Sequence, residues 1–180
     1  VEAYKASSGN LKLEIAEIDL VEMIYQTNGE FEEKFQIRHL ELISSLPSEC
    51  VLIAVDGRRL WRVLENLYNN AFKYAMEHSR IYVDVSVQND IAYFTIKNVS
   101  SNPLNINADE LTERFVRGDV ARTSEGSGLG LSIAKDLTLL QGGSFKIYID
   151  GDLFKVQVGF PVLLSKDSPP TDKVISPPGA

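Results

Sequence analysis

The sequence predicts an α+β fold, a two-layer sandwich in which a mainly antiparallel mixed sheet is covered on one face by helices. Three observations lead there. Apolar and polar residues alternate in short runs, most cleanly where Ile81, Val83, Val85 and Val87 interleave with Tyr82, Asp84, Ser86 and Gln88. Two pairs of such runs are joined by the turn dipeptides Asn89-Asp90 and Asp150-Gly151. Longer segments with apolar residues at helical spacing lie between the strands, each bounded by a cap or a glycine signal.

Taken in order, Asn10 to Ile15 alternates Leu11, Leu13 and Ile15 with polar residues and reads as a short strand. Asp19 followed by Glu22 reads as an N-cap with its capping-box partner, opening a helix that carries Leu20, Ile24, Phe31 and Phe35 on one face. Leu40 to Ser44 and Val51 to Val55 are strand-like runs separated by a turn around Pro47 and Ser48. A second helix is expected from about Arg58 to Glu77, with Asp56 near its start. The Ile81 strand turns at Asn89-Asp90 into a partner containing Ala92, Phe94 and Ile96. After Asn98 regularity stops until a short helix at Ala108 to Phe115, followed by a polar, glycine-bearing loop over Arg117 to Ser127. Gly128 to Gln141 reads as helix, ended by Gly142-Gly143. A hairpin closes the pattern, with Phe145, Ile147 and Ile149 on one arm and Phe154, Val156 and Val158 on the other. Four of the seven prolines fall in the last twelve residues, so 164–180 is expected to be a disordered Pro-rich tail.

Length and composition narrow the function. The 180 residues suit one domain with short appendages, and 44% hydrophobic content is enough for a real core. A net charge of −7 repels nucleic acid and anionic lipid, so neither is an expected partner. Cys50 is the only cysteine, which excludes an intramolecular disulfide and fits a cytoplasmic setting. His39 and His78 have no second ligand at metal spacing and are expected to be structural. No apolar run approaches the roughly 20 residues that span a bilayer. The chain opens at Val1 rather than methionine and reads as a fragment, which leaves room for a membrane anchor outside it.

Two stretches carry chemistry. The first is Asn66-Leu67-Tyr68-Asn69-Asn70-Ala71-Phe72-Lys73-Tyr74. At about 100° per residue, Asn66, Asn70 and Lys73 fall within roughly 60° of one another. They lie beside the apolar stripe of Leu60, Val63, Leu64, Leu67 and Ala71, at the edge of the core rather than in open water. An amide buried there without a partner costs about 1–3 kcal/mol, so the stripe points to a ligand or ion. An Asn oxygen is a hard neutral donor suited to Mg²⁺, which keeps waters and takes phosphate oxygens as further ligands. An isolated pair of this kind would more often cap a loop or face solvent.

The second stretch is Gly126-Ser127-Gly128-Leu129-Gly130-Leu131 at a helix start. Bare backbone lets a phosphate approach closely, and the helix start offers unpaired N–H groups and a positive dipole end. The run is neither a Walker A loop, which requires Gly-Lys-Ser or Gly-Lys-Thr, nor a G-x-G-x-x-G dinucleotide fingerprint.

Together and in this order, these stretches resemble the histidine kinase branch of the Bergerat-fold ATPases, over roughly Leu11 to Pro161. Asn66 to Tyr74 looks like the N box, which implies that Asn70 binds magnesium and that Lys73 and Tyr74 contact the nucleotide. Leu111 to Phe115 looks like the F box, and the resemblance implies that Arg117 points toward the terminal phosphates. Gly126 to Leu131 matches the second glycine box, so Gly126, Gly128, Leu129, Gly130 and Leu131 are expected to hold nucleotide, with Gly118 to Ser127 as a lid. The resemblance implies ATP and Mg²⁺ as cofactors and phosphoryl transfer to a histidine on a separate helical hairpin, with Asn70, Lys73 and Arg117 as catalytic residues. Residues 1–10 would then be the remnant of that hairpin and its linker, and 11–163 the catalytic domain. The partners implied are the domain's own dimerisation and phosphotransfer hairpin and, indirectly, a response regulator.

One motif departs from the family. Where the first glycine box reads D-x-G-x-G, this chain has Asn98-Val99-Ser100-Ser101-Asn102-Pro103. Asn98 would accept a hydrogen bond from the adenine amino group without the charge of an aspartate, and it can also donate. Harmless drift with retained ATP affinity is one reading of this change; a remodelled base pocket with weaker adenine selectivity is the sharper one. The same departure motivates an alternative, a nucleotide-binding or nucleotide-free pseudokinase that serves as an interaction module. A third reading is a serine kinase of the anti-sigma-factor type on the same fold.

Overall fold

The computed structural model describes residues 12–104 and 129–163. Along the chain run β1 (Ile15–Asp19), α1 (Leu20–Ile37), β2 (Glu41–Ser45), β3 (Leu52–Asp56), α2 (Gly57–Tyr74), β4 (Arg80–Gln88), β5 (Ile91–Val99), α3 (Leu129–Leu140), β6 (Ser144–Asp150) and β7 (Leu153–Pro161). Five strands form a mixed sheet in the order β2-β4-β5-β7-β6, and β1 pairs with β3 in a separate two-stranded sheet. Only the β2–β4 pair in the large sheet is parallel. The expected α+β sandwich is therefore present, with the small sheet as an addition.

The core lies between the large sheet and the helices. Ile81, Val83 and Val85 of β4, Phe94 and Ile96 of β5, and Val156 and Val158 of β7 point inward at period two and meet Leu60, Val63, Leu64 and Leu67 of α2. An aromatic file joins the layers: the Tyr68 ring lies 5.1 Å from Phe31, 6.1 Å from Phe35 and 6.2 Å from Phe94. Burial pushes the Tyr68 phenol far above its ordinary pKa, and its hydroxyl donates to Asn28 Oδ1.

Three local readings change. The first strand is Ile15–Asp19 rather than Asn10 to Ile15, because Glu14 N–H is diverted to the Asp56 carboxylate at 2.9 Å and pairing with β3 begins only at Ile15. Asp19 does cap α1 by accepting from Val21 N–H at 3.0 Å, but its second partner is Val51 N–H at 3.1 Å. The Glu22 carboxylate accepts from Gln26 Nε2 at 3.4 Å, not from the cap in the reciprocal manner of a capping box. The runs around Leu42 and Ile53 enter different sheets.

Finally, α2 ends at Tyr74 and not near Glu77, because its last carbonyls are claimed from outside. Arg38 Nη1 donates to the oxygens of Phe72 and Lys73, and Ser101 N–H donates to the Tyr74 oxygen at 2.9 Å. Ala75 then turns extended and bridges to Ser100.

Turn chemistry follows residue type. Asn89 and Asp90 both take positive φ, at 51° and 61°, in the two-residue β4–β5 turn. His39 (φ 54°) and His78 (φ 62°) occupy the turns after α1 and before β4, and their rings stack at 4.5 Å. Among the described residues, no helix is long and apolar enough to cross a membrane. The expected helix at Ala108 to Phe115, the remnant 1–10 and the tail 164–180 lie outside the described residues.

Candidate functional site

Asp56 sets the start of α2. Its carboxylate accepts from the N–H groups of Glu14, Arg58 and Arg59 at 2.9, 3.1 and 3.3 Å. Burial alone pushes this carboxyl up, yet the three N–H bonds and the Arg59 charge outweigh it and hold the group below its ordinary range. The Asp56 N–H donates to Gln141 Oε1 at 2.8 Å, and Gln141 Nε2 donates to the Leu137 oxygen at 2.9 Å. The start of α2 is thereby tied to the end of α3.

Between those anchors the polar stripe of α2 faces two neighbours. Toward α3, a Cβ on Gly130 would lie 3.9 Å from Asn66 Oδ1, so the asparagine amide faces the bare backbone at the start of α3. Leu131 and Ser132 on the next turn are buried. Asn66 Nδ2 is buried with no hydrogen-bond partner among the described residues. Toward β5, a cavity of about 180 Å³ is lined by Asn70, Tyr74, Asn98, Ser100, Asn102, Leu104 and Phe154. Asn98 is only 3% exposed, and its Nδ2 is also without a partner among the described residues. Phe154, paired across the ladder with Asn98, supplies an apolar wall. The Lys73 ammonium sits 5.2 Å from the centroid of the Tyr74 ring, beside the cavity wall.

The cavity is therefore assembled from the end of α2, the end of β5 and β7, with α3 against the same helix. Ser101 N–H to the Tyr74 oxygen (2.9 Å), Ser100 N–H to the Asp152 oxygen (2.7 Å) and Asn102 N–H to Ser100 Oγ (3.3 Å) hold the departing chain in place. Ser100 and Asn102, which replace the glycines of the resembling motif, are thus part of the wall.

Of the candidates read from sequence, Asn70, Tyr74 and Asn98 line one cavity, with Lys73 beside it, while Asn66 and Gly130 meet one face away along α2. Leu129 opens α3, and the Leu131 side chain belongs to the core. Arg117, Gly126, Gly128, the segment Leu111 to Phe115 and the expected lid Gly118 to Ser127 lie outside the described residues. Sequence reasoning missed Phe154, whose strand alternation looks like any other, and Arg38, which fixes the last turn of α2 from another helix. It also missed Lys34, whose ammonium donates to Asn69 Oδ1 at 2.6 Å and clamps α1 to α2.

The family described as histidine kinase-, DNA gyrase B- and HSP90-like ATPase matches residues 55–173. Sensor histidine kinase WalK of Bacillus subtilis is 33% identical over 110 residues, 59% of this chain and 18% of that protein. The nucleotide-free catalytic domain of histidine kinase ThkA superposes with a TM-score of 0.72 at 23% identity, covering 83% of this chain and 96% of that one. Full-length ShkA in complex with AMPPNP superposes with a TM-score of 0.76 at 20% identity, covering 91% of this chain and 34% of that one. The chain spans 18–35% of the length of the first three curated relatives it matches. By the family match and these relatives, the chain belongs to the histidine kinase-, DNA gyrase B- and HSP90-like ATPases, as an ATP-binding domain of the histidine kinase type.

Proposed function

We propose that this domain is the catalytic half of a two-component sensor histidine kinase, which passes the γ-phosphoryl group of Mg-ATP to a histidine on a helical hairpin outside these residues. The single observation that carries the reading is the cavity that joins Asn70 and Tyr74 to Asn98, on the same helix whose Asn66 faces Gly130. A cavity of about 150 Å³ lined by apolar groups admits a benzene ring, so 180 Å³ walled by Phe154, Leu104 and Tyr74 suits an aromatic base. The triphosphate then runs along α2 toward the start of α3.

Among the described residues that line the cavity there is no Asp or Glu, only the neutral side-chain oxygens of Asn70, Tyr74, Asn98, Ser100 and Asn102, and of these Asn70 is assigned to the divalent cation. This donor set suits Mg²⁺ that arrives with the triphosphate and keeps waters, and it would supply charge neutralisation at the phosphates. Lys73 adds a cation one turn beyond Asn70. Arg117 is assigned to the terminal phosphates, and the backbone N–H groups from Gly126 and Gly128 to Leu129, Gly130 and Leu131 to the phosphate oxygens, with Gly118 to Ser127 closing over them. Asn66 positions its amide between α2 and that turn. The domain supplies orientation and charge, while the nucleophile comes from the hairpin. The full protein is assigned to a membrane-anchored sensor with this domain in the cytoplasm, and a response regulator receives the phosphoryl group from the hairpin.

Because WalK is a sensor histidine kinase and ThkA a histidine kinase, the enzyme reading is favoured over a non-catalytic interaction module. Incubation of the full-length protein with γ-labelled ATP tests it. Acid-labile, base-stable label that disappears in Asn70→Asp is the expected result. Acid-stable label on serine, or no label from a folded protein, overturns the proposal.

A further inference from the structure

We infer that the base pocket reads the purine 6-position through an ambidextrous amide, so that 6-oxopurine triphosphates are accepted alongside ATP. The inference rests on the nucleotide reading above and concerns Asn98. This side chain is 3% exposed, lines the cavity with Asn70 and Tyr74, and carries a buried Nδ2 with no partner among the described residues. An unanswered N–H in so dry a place calls for an acceptor on whatever fills the cavity.

The amide has an acceptor and a donor side by side. Adenine shows a donor at N6 beside an acceptor at N1. Hypoxanthine shows the reverse, an acceptor at O6 beside a donor at N1. In one orientation Asn98 pairs with the adenine edge, Oδ1 to N6–H and Nδ2–H to N1. Turned by 180° about its last torsion, it pairs with the hypoxanthine edge, Nδ2–H to O6 and Oδ1 to N1–H. A carboxylate at this position has acceptors only, so it would set a negative oxygen against O6. The remaining wall (Phe154, Leu104 and Tyr74) grips the ring faces and does not distinguish the two edges. Asn70, Ser100 and Asn102 add neutral polar groups but no charge.

Inosine triphosphate differs from ATP only in the 6-position edge, so it isolates this contact from the 2-amino group of guanine. Titration calorimetry of the 180-residue chain with Mg-ATP and Mg-ITP is the test, followed by the same pair on Asn98→Asp. In the unaltered chain ITP is expected to bind within about ten-fold of ATP. In Asn98→Asp, with ATP still bound, ITP is expected to fall a further ten-fold or more, the scale on which an unpaired buried polar group lowers affinity. Binding of ATP with ITP weaker by a hundred-fold or more in the unaltered chain overturns the inference and leaves the kinase proposal standing. Binding of neither nucleotide overturns both. The first comparison needs no variant, so a poorly folding Asn98→Asp does not shield the inference.

Discussion

Replacing Asp56 by Asn or Ala should destabilise the domain, and the loss should shrink in acid. Asp56 caps α2 through Arg58 and Arg59 N–H and also accepts from Glu14 N–H. The first turn of α2 holds no acidic residue and carries Arg58 and Arg59, the wrong sign for the helix dipole, so the cap is not duplicated locally. Losing a cap costs about 1–2 kcal/mol, and leaving the Glu14 N–H unanswered adds about 1 kcal/mol, giving about 2–3 kcal/mol for Asp56→Ala. For a domain of this size that lowers Tm by roughly 5–10 °C. The carboxyl is held below its ordinary value of 3.8, so the unfolded chain takes up this proton first as pH falls. Its contribution is therefore complete above the unfolded value and is lost as pH drops through the folded one. Urea unfolding of the parent and of Asp56→Asn at pH 7 and at steps down to about pH 3 measures the gap directly. The gap should be constant near neutrality and narrow below about pH 4, where the parent's carboxylate becomes protonated and resembles the amide. A gap that is absent at pH 7, or that widens in acid, would refute the assignment of Asp56 as an ionised cap.

Three further substitutions test the packing and the end of α2. Gly143→Ala would place a Cβ 2.6 Å from Phe160 Cε1, 2.8 Å from the Gly159 oxygen and 2.9 Å from Thr138 Cγ2, so it should cost about 2–3 kcal/mol in a thermal melt. Gly29→Ala, in the exposed middle of α1 with nothing within 4 Å, should instead gain about 0.5–1 kcal/mol. Arg38→Met removes the charged donor to the Phe72 and Lys73 oxygens while keeping contact with the Phe72 ring. It should cost about 2 kcal/mol. Amide exchange should speed up at Lys73, Tyr74 and Ala75 and stay unchanged in the centre of β5.

What could be read from sequence was set by interactions between near neighbours. The Asp19 and Asp56 caps bond to N–H groups two and three residues on, the Asn89-Asp90 turn depends on two adjacent backbones, and the β4 alternation needs only a wet side and a dry side. The polar face of α2 follows from helical arithmetic for the same reason. The parallel pairing of β2 with β4 was not legible, because nothing in Glu41–Ser45 names a partner beyond a whole helix and strand. The true start of β1 and the end of α2 were misplaced because both depend on distant groups, the carboxylate of Asp56 and the guanidinium of Arg38. Phe154 gave no signal as a cavity wall, since its role comes only from lying opposite Asn98 in the ladder.

Those distant groups matter to the site because they fix the rotation of α2. One end of the helix is tied to α3 through the Asp56 N–H and Gln141, 85 residues apart, and the other to α1 and β5 through Arg38 and Ser101. A helix rotated by a single residue, about 100°, would carry Asn70 out of the cavity wall and drive the stripe of Leu60, Val63, Leu64 and Leu67 out of the core. The apolar stripe resists that rotation, but it spans a wide arc and tolerates a slip of tens of degrees. Hydrogen bonds at 2.8 to 3.1 Å do not. The chemistry of the polar stripe therefore depends on residues that never touch the cavity, and substitutions at Arg38 or Gln141 should weaken nucleotide affinity by turning Asn70 while every cavity side chain remains present.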